Sequence, residues 1–157
     1  MRVVSGGQTG ADQAGLWAAR VVGLETGGWV PKGWKTDIGP ASWLADYGCR
    51  EHASDQYAPR TIANVREAQG LIWIGDPESP GGRLTLGTAA SAGILVAEVV
   101  PHPSTWAHQD GVAYLRQWIQ WAFPAEEGTL LIAGNRERRN PGIETYVKTI
   151  LTEVFKP

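Results

Sequence analysis

The chain is short of the residues that staple a fold, ligate metal or enter a membrane. Its single cysteine, Cys49, has no partner for an internal disulfide, and His52, His102 and His108 stand too far apart for a zinc pattern. No apolar run approaches the ~20 residues that span a bilayer, and no apolar leader follows Met1-Arg2. A soluble protein of a reducing, cytoplasmic compartment is expected, with no membrane partner. Positive charge is not in excess either. Fourteen Lys and Arg against 16 Asp and Glu give a formal net charge of −2, which argues against a surface that grips nucleic acid by neutralising phosphates. The strings GxSxG, HExxH, GxGxxG and the Walker pattern GxxxxGKS/T are missing, so no nucleophile elbow, zinc protease helix or standard nucleotide loop is announced.

Glycine is plentiful. Twenty glycines and ten prolines are scattered among apolar segments without a low-complexity tract, the pattern of tight turns between buried elements. Eight tryptophans suit a core, a subunit interface or a stacking surface. At 157 residues the chain is the size of one domain, spanning 1–157.

Five apolar runs, Arg2 to Ser5, Thr26 to Val30, Leu71 to Gly75, Ile94 to Val100 and Thr129 to Ala133, read as buried strands. Helical patterns occupy Asp12 to Val22, Pro59 to Ala68, Thr85 to Ala92, His108 to Phe123 and Gly142 to Phe155. Alternating strands and helices predict an α/β fold, a three-layer Rossmann-like sandwich with a mostly parallel central sheet. In such sheets ligands bind beyond the carboxyl ends of the strands, so the segments after each strand are where chemistry is sought.

The first such segment is Ser5-Gly6-Gly7-Gln8-Thr9-Gly10-Ala11-Asp12. Its glycines let the backbone approach an anion, and the N–H groups of the following helix carry about half a positive charge. Gly6, Gly7, Gln8, Thr9 and Gly10 are therefore candidate anion-loop residues. Asp12 either caps the helix or holds a ribose hydroxyl, a metal or a backbone N–H. Lys32, between Pro31 and Gly33, is either an anion clamp or a solvated surface lysine. Tyr57, Arg60 and Asn64 gather polar groups on one side of a predicted helix, where Arg60 suits phosphate, carboxylate or oxoanion. A second glycine turn, Ser79 to Thr85, offers Gly81, Gly82, Arg83 and Thr85. Two glycine turns opening on one crevice are what a phosphate-bearing small molecule requires. Arg136, just past the last strand, completes the candidate set, while Arg138 and Arg139 read as surface.

Taken together, SGGQTGADQAGL, GGWVPKG, YAPRTIANV, PGGRLT and IAGNRERRNPGIE resemble, in this order and over nearly the whole chain, the molybdenum carrier family. That family looks like a circularly permuted branch of the Rossmann-like superfamily that holds the lysine-decarboxylase-like proteins and the cytokinin-activating phosphoribohydrolases. The resemblance implies homo-oligomers and a crevice for a nucleotide-like ligand or the molybdenum cofactor, with Gly6, Gly7, Thr9 and Gly10 in one phosphate loop and Gly81, Gly82 and Thr85 in the other. The phosphoribohydrolases carry acids in a PGGxGTxEE-like segment; here Gly87 and Thr88 stand in those places, and Arg83 enters the loop to strengthen anion binding or to fill the pocket. The expectation is a protein that binds, carries or sequesters its ligand. The alternative is a nucleotide hydrolase that uses Asp12 or Glu98.

Overall fold

The computed structural model describes residues 1–101 and 108–157; His102, one of the three histidines, lies outside them. Six strands form one parallel sheet: β1 (Arg2–Val4), β2 (Glu25–Val30), β5 (Cys49–Glu51), β6 (Gly70–Ile74), β7 (Leu95–Val99) and β8 (Thr129–Gly134), in the order β5-β2-β1-β8-β6-β7. A separate antiparallel ribbon, β3 (Lys35–Thr36) with β4 (Gly39–Pro40), and a 3₁₀ turn at Ser42–Tyr47 fill the segment between β2 and β5. The helices are α1 (Ala11–Val21), α2 (Tyr57–Glu67), α3 (Pro80–Ala92), α4 (His108–Ala122) and α5 (Ile143–Phe155).

The two-residue side-chain period of the strands sorts the core into layers. Val3, Ile72, Ile74, Leu130 and Ile132 face α1, α4 and α5, whereas Val4, Leu71, Trp73, Leu131 and Ala133 face α2 and α3. Full burial of such side chains contributes about 1.5–3 kcal/mol each before chain entropy is counted, which is why the central strands read as unbroken apolar runs. α1 buries Ala14, Gly15, Ala18 and Ala19 between the sheet and α5. Its small residues let it lie close enough for Gly15 to touch Ile132.

β5 and α3 differ from the sequence expectation, while β2 matches it. β5 has three residues, two of them exposed and charged, so it carries no apolar signature; it is an edge strand held by β2. β2 runs through Gly27-Gly28 because Gly28, at φ +127°, lies against the backbone of Ser5, where a Cβ would overlap the Ser5 carbonyl. α3 begins at Pro80, not Thr85: Ser79 caps it by accepting from Gly82 N at 3.1 Å, and Pro80 takes the first turn. The second glycine turn is thus the opening turn of a helix. Of the two tryptophans on α4, Trp118 packs edge-on against Phe123 and Trp121 is exposed.

Candidate functional site

α1 and α5 leave β1 and β8 on one face of the sheet, and α3 leaves β6 on the other. Neighbouring strands β8 and β6 therefore send their chains in opposite directions, and a crevice opens beyond their carboxyl ends. The cleft there has a volume of about 600 Å³. Trp73 and Ala133 form its floor, the first turns of α2 and α3 form two walls, and Gln8, Asp12 and Arg136 close the side toward β1.

Charge in the cleft is unbalanced. Arg60, Arg136, Arg138 and Arg139 line it with one carboxylate, Asp12. Arg139 is paired with Asp76 at 3.3 Å. Gly6 is the point where the inner charges come together: a Cβ there would stand 2.5 Å from Arg60 Nη1 and 2.9 Å from Asp12 Oδ2, so this site has no room for a side chain. Asp12, 4 % exposed, accepts from Gln8 N at 3.2 Å. Burial raises its pKa, against the pull of Arg60, the Gln8 and Gly134 N–H groups and Arg136. Burial likewise lowers the pKa of Arg60, while Asp12 and Tyr57 hold it up and Arg136 adds to the lowering. Arg60 Nη1 donates to Thr61 Oγ1 at 2.6 Å, but its Nε has no partner among the described residues. The Tyr57 ring stands among three cations, with Lys35 at 5.1 Å, Arg136 at 5.2 Å and Arg60 at 5.7 Å from its centroid.

One residue that sequence reasoning left out ties the strand ends together. Asn135, 4 % exposed, accepts from Asp76 N at 2.8 Å and donates to Ser79 Oγ at 3.1 Å. Its backbone carbonyl receives Ala11 N at 3.1 Å. It thereby joins the loops after β6 and β8 to the start of α1. The available signal was its position, immediately after the strand. Glu137 performs a related task at α5, accepting Gly142 N at 2.5 Å and Glu144 N at 2.9 Å.

Of the residues singled out from sequence, Gln8, Asp12, Tyr57, Arg60, Gly81, Thr85 and Arg136 line the cleft, and Gly6 backs it. The others are placed elsewhere. Gly7 turns toward Val30 and Leu44, so a side chain at this position would strike the core. Thr9 donates to Asp37 Oδ1 at 2.8 Å, and Gly10 abuts the backbone of Asn135 to Glu137. Asn64 is structural, its amide bridging Trp29 N at 2.8 Å and Trp29 O at 2.9 Å. Lys32 belongs to a separate groove with Trp29, His52 and Arg66. Gly82 packs on the Pro77 carbonyl. Arg83 points to solvent and pairs with Glu78 at 3.3 Å, neither filling the cleft nor contributing to it. Gly87 and Thr88 lie further along α3, beyond the cleft lining.

Comparison with known proteins gives a consistent picture. The profile of the Circularly permutated YpsA SLOG family matches residues 3–155. The crystal structure of a protein named "putative molybdenum carrier protein", from Syntrophus aciditrophicus, superimposes with a TM-score of 0.84 at 29% sequence identity, covering 98% of this chain and 93% of that one. No curated protein matches the chain.

Proposed function

The chain belongs to the Circularly permutated YpsA SLOG family, and from that premise we propose that it is a binding protein whose cleft holds a small molecule bearing a phosphate or comparable oxoanion. The observation that carries this reading is the imbalance of the cleft: among the described residues, Arg60, Arg136 and Arg138 line it with Asp12 as the single acid, and buried donors on Gln8 and Arg60 lack acceptors. Each unpaired buried donor costs about 1–3 kcal/mol, more for a charged group, and an incoming oxoanion recovers that cost. The amino termini of α2 and α3 open on the same cleft, α2 without a side-chain cap, and favour negative charge.

The name of the Syntrophus neighbour extends the reading to a molybdenum-bearing cargo. The cleft's N–H donors fit the oxygens of a molybdate-like anion, or the phosphate of a nucleotide-like or molybdopterin-like molecule. They do not fit direct ligation of the metal. No group of three His, Cys, Asp or Glu side chains suited to a metal occurs among the described residues. Cys49 lies in the cluster of Leu16 and Leu44, its thiol pushed up to about 12 by burial.

Holding rather than cleaving the ligand is the primary reading, because glycosidic cleavage needs a carboxylate set to stabilise charge or activate water. The second reading, a nucleotide hydrolase, rests on Asp12, whose carboxyl lines the cleft and is raised by burial. Glu98 is exposed on the edge strand β7, away from the cleft. Native mass spectrometry of freshly purified protein, followed by denaturation and identification of what is released, tests the proposal. The expected result is an intact anionic small molecule, retained at least about tenfold less by Arg60→Met, which removes the charge but keeps the bulk. Protein that carries nothing and binds no phosphate-bearing ligand refutes the binding reading, and turnover of nucleoside monophosphates replaces it with the hydrolase.

A further inference from the structure

Gln8 has a wiring that the anion reading alone does not require. Its side chain is 6 % exposed, and its Oε1 accepts two backbone donors, Thr9 N at 3.0 Å and Asp37 N at 3.0 Å. Turning the amide over would set Nε2 against two N–H groups, so chemistry fixes which atom is which. Nε2 is left buried, without a partner among the described residues, in a residue that lines the cleft. The second of those donors comes from outside the cleft lining. Asp37 lies in the turn of the β3–β4 ribbon, which is not hydrogen-bonded into the main sheet. Asp37 grips the glycine loop twice, through its N–H on Gln8 and through Oδ1, which accepts Thr9 Oγ1 at 2.8 Å.

We infer that Gln8 is the specificity-determining residue of the cleft, reserving one position for a ligand oxygen that accepts a hydrogen bond, and that Asp37 is the positioning residue that holds its amide for this task. The inference rests on the anion-binding reading and narrows it. An unprotonated phosphoryl, oxoanion or carboxylate oxygen satisfies Nε2, whereas an ammonium, which has no acceptor, leaves two donors opposed. Arg60 adds a positive charge and a second unpartnered donor, Nε, to the same cleft, whereas Gln8 adds a neutral donor whose demand for an accepting oxygen does not depend on the ligand's net charge.

Inorganic phosphate is the probe, titrated calorimetrically into the full chain and followed by the side-chain amide NMR resonance of Gln8. Gln8→Glu keeps an oxygen for both backbone donors and replaces Nε2 by a second carboxylate oxygen. It is expected to weaken phosphate binding by about 100-fold and, because it buries a carboxylate, to lower the thermal midpoint as well, so binding is read well below that midpoint. At position 37, Asp37→Ala keeps the N–H and Asp37→Pro deletes it. Asp37 has no positive φ and occupies the first turn position, which tolerates proline. Asp37→Pro is expected to weaken phosphate binding about tenfold more than Asp37→Ala. It should also abolish the phosphate-induced shift of the Gln8 amide, which Asp37→Ala retains; a merely structural role for residue 37 would not separate the two variants in this way. Phosphate binding by the wild type together with equal binding by Gln8→Glu, or equal behaviour of the two position-37 variants, overturns this inference and leaves the anion reading standing. A wild-type chain that ignores phosphate overturns both.

Discussion

Replacing Asn135 by alanine tests the view that the cleft is held by one amide bridging two loops. The substitution deletes the bond from Asp76 N at 2.8 Å and the bond to Ser79 Oγ at 3.1 Å. Each intramolecular hydrogen bond contributes about 0.5–1.5 kcal/mol net, and a donor left without a partner, here Asp76 N, adds about 1–3 kcal/mol. Ser79 keeps its bond to the Asp76 carbonyl at 2.8 Å and its cap on Gly82, so its loss is at the low end of that range. The sum is about 2–5 kcal/mol, or a drop of about 4–20 °C in thermal midpoint for a chain of this size. Urea unfolding followed by tryptophan fluorescence reads the loss directly, with an unchanged slope expected if only stability has moved. Asn135→Asp keeps an acceptor for Asp76 N and should fall between wild type and Asn135→Ala. A loss below about 0.5 kcal/mol, typical of an unremarkable surface site, would refute the bridging role.

Two further outcomes follow from the geometry of the same region. Because burial raises the pKa of Asp12 above its ordinary 3.8, the native state binds this proton more tightly than the unfolded chain, and the Asp12 contribution to stability falls as pH rises through the window above 3.8. Asp12→Asn is therefore expected to be more stable than wild type at pH 7, with the difference closing toward pH 3.8; urea midpoints across that range check the sign, and a difference that grows on acidification contradicts it. Gly28→Ala is expected to cost about 3 kcal/mol or more, since φ +127° and the Ser5 carbonyl both oppose a Cβ, whereas Gly23→Ala, at φ +84° with open space around it, should cost about 1–2 kcal/mol. Paired thermal melts separate the two, and equal losses would show that the approach of β2 to Ser5 is not limiting.

The central strands and all five helices were legible because their apolar spacing reports burial directly, as in Leu71 to Ile74 and in Ile143 to Val154. β5 and the β3–β4 ribbon were not, because Arg50 and Glu51 or Lys35 and Gly39 are polar or small and their pairing is decided by partners far along the chain. Placement after strand ends located Gln8, Asp12 and Arg136 in the cleft. Spacing gave the side of the helix for Asn64 but not its neighbour, which is the Trp29 backbone. Likewise Ser79-Pro80-Gly81-Gly82 reads as a turn when its glycines are weighed, yet Ser79 as cap and Pro80 at the first position make it the start of a helix. Asp37 gave no local signal, because its role depends on a contact with a loop 29 residues earlier.

The strand order has a consequence for how the protein comes into being. β1, β2 and β5 form one hydrogen-bonded half of the sheet and β6 and β7 the other, and β8 is the strand that pairs with both. On the ribosome, residues 1–128 can therefore assemble two ribbons that share no backbone ladder, each presenting an open edge to solvent. The central strand arrives after everything it must separate and join. Formation of the sheet is a late, long-range insertion, slow by the general rule that distant pairings delay folding, and the interval before it is when the nascent chain is most exposed to edge-to-edge aggregation.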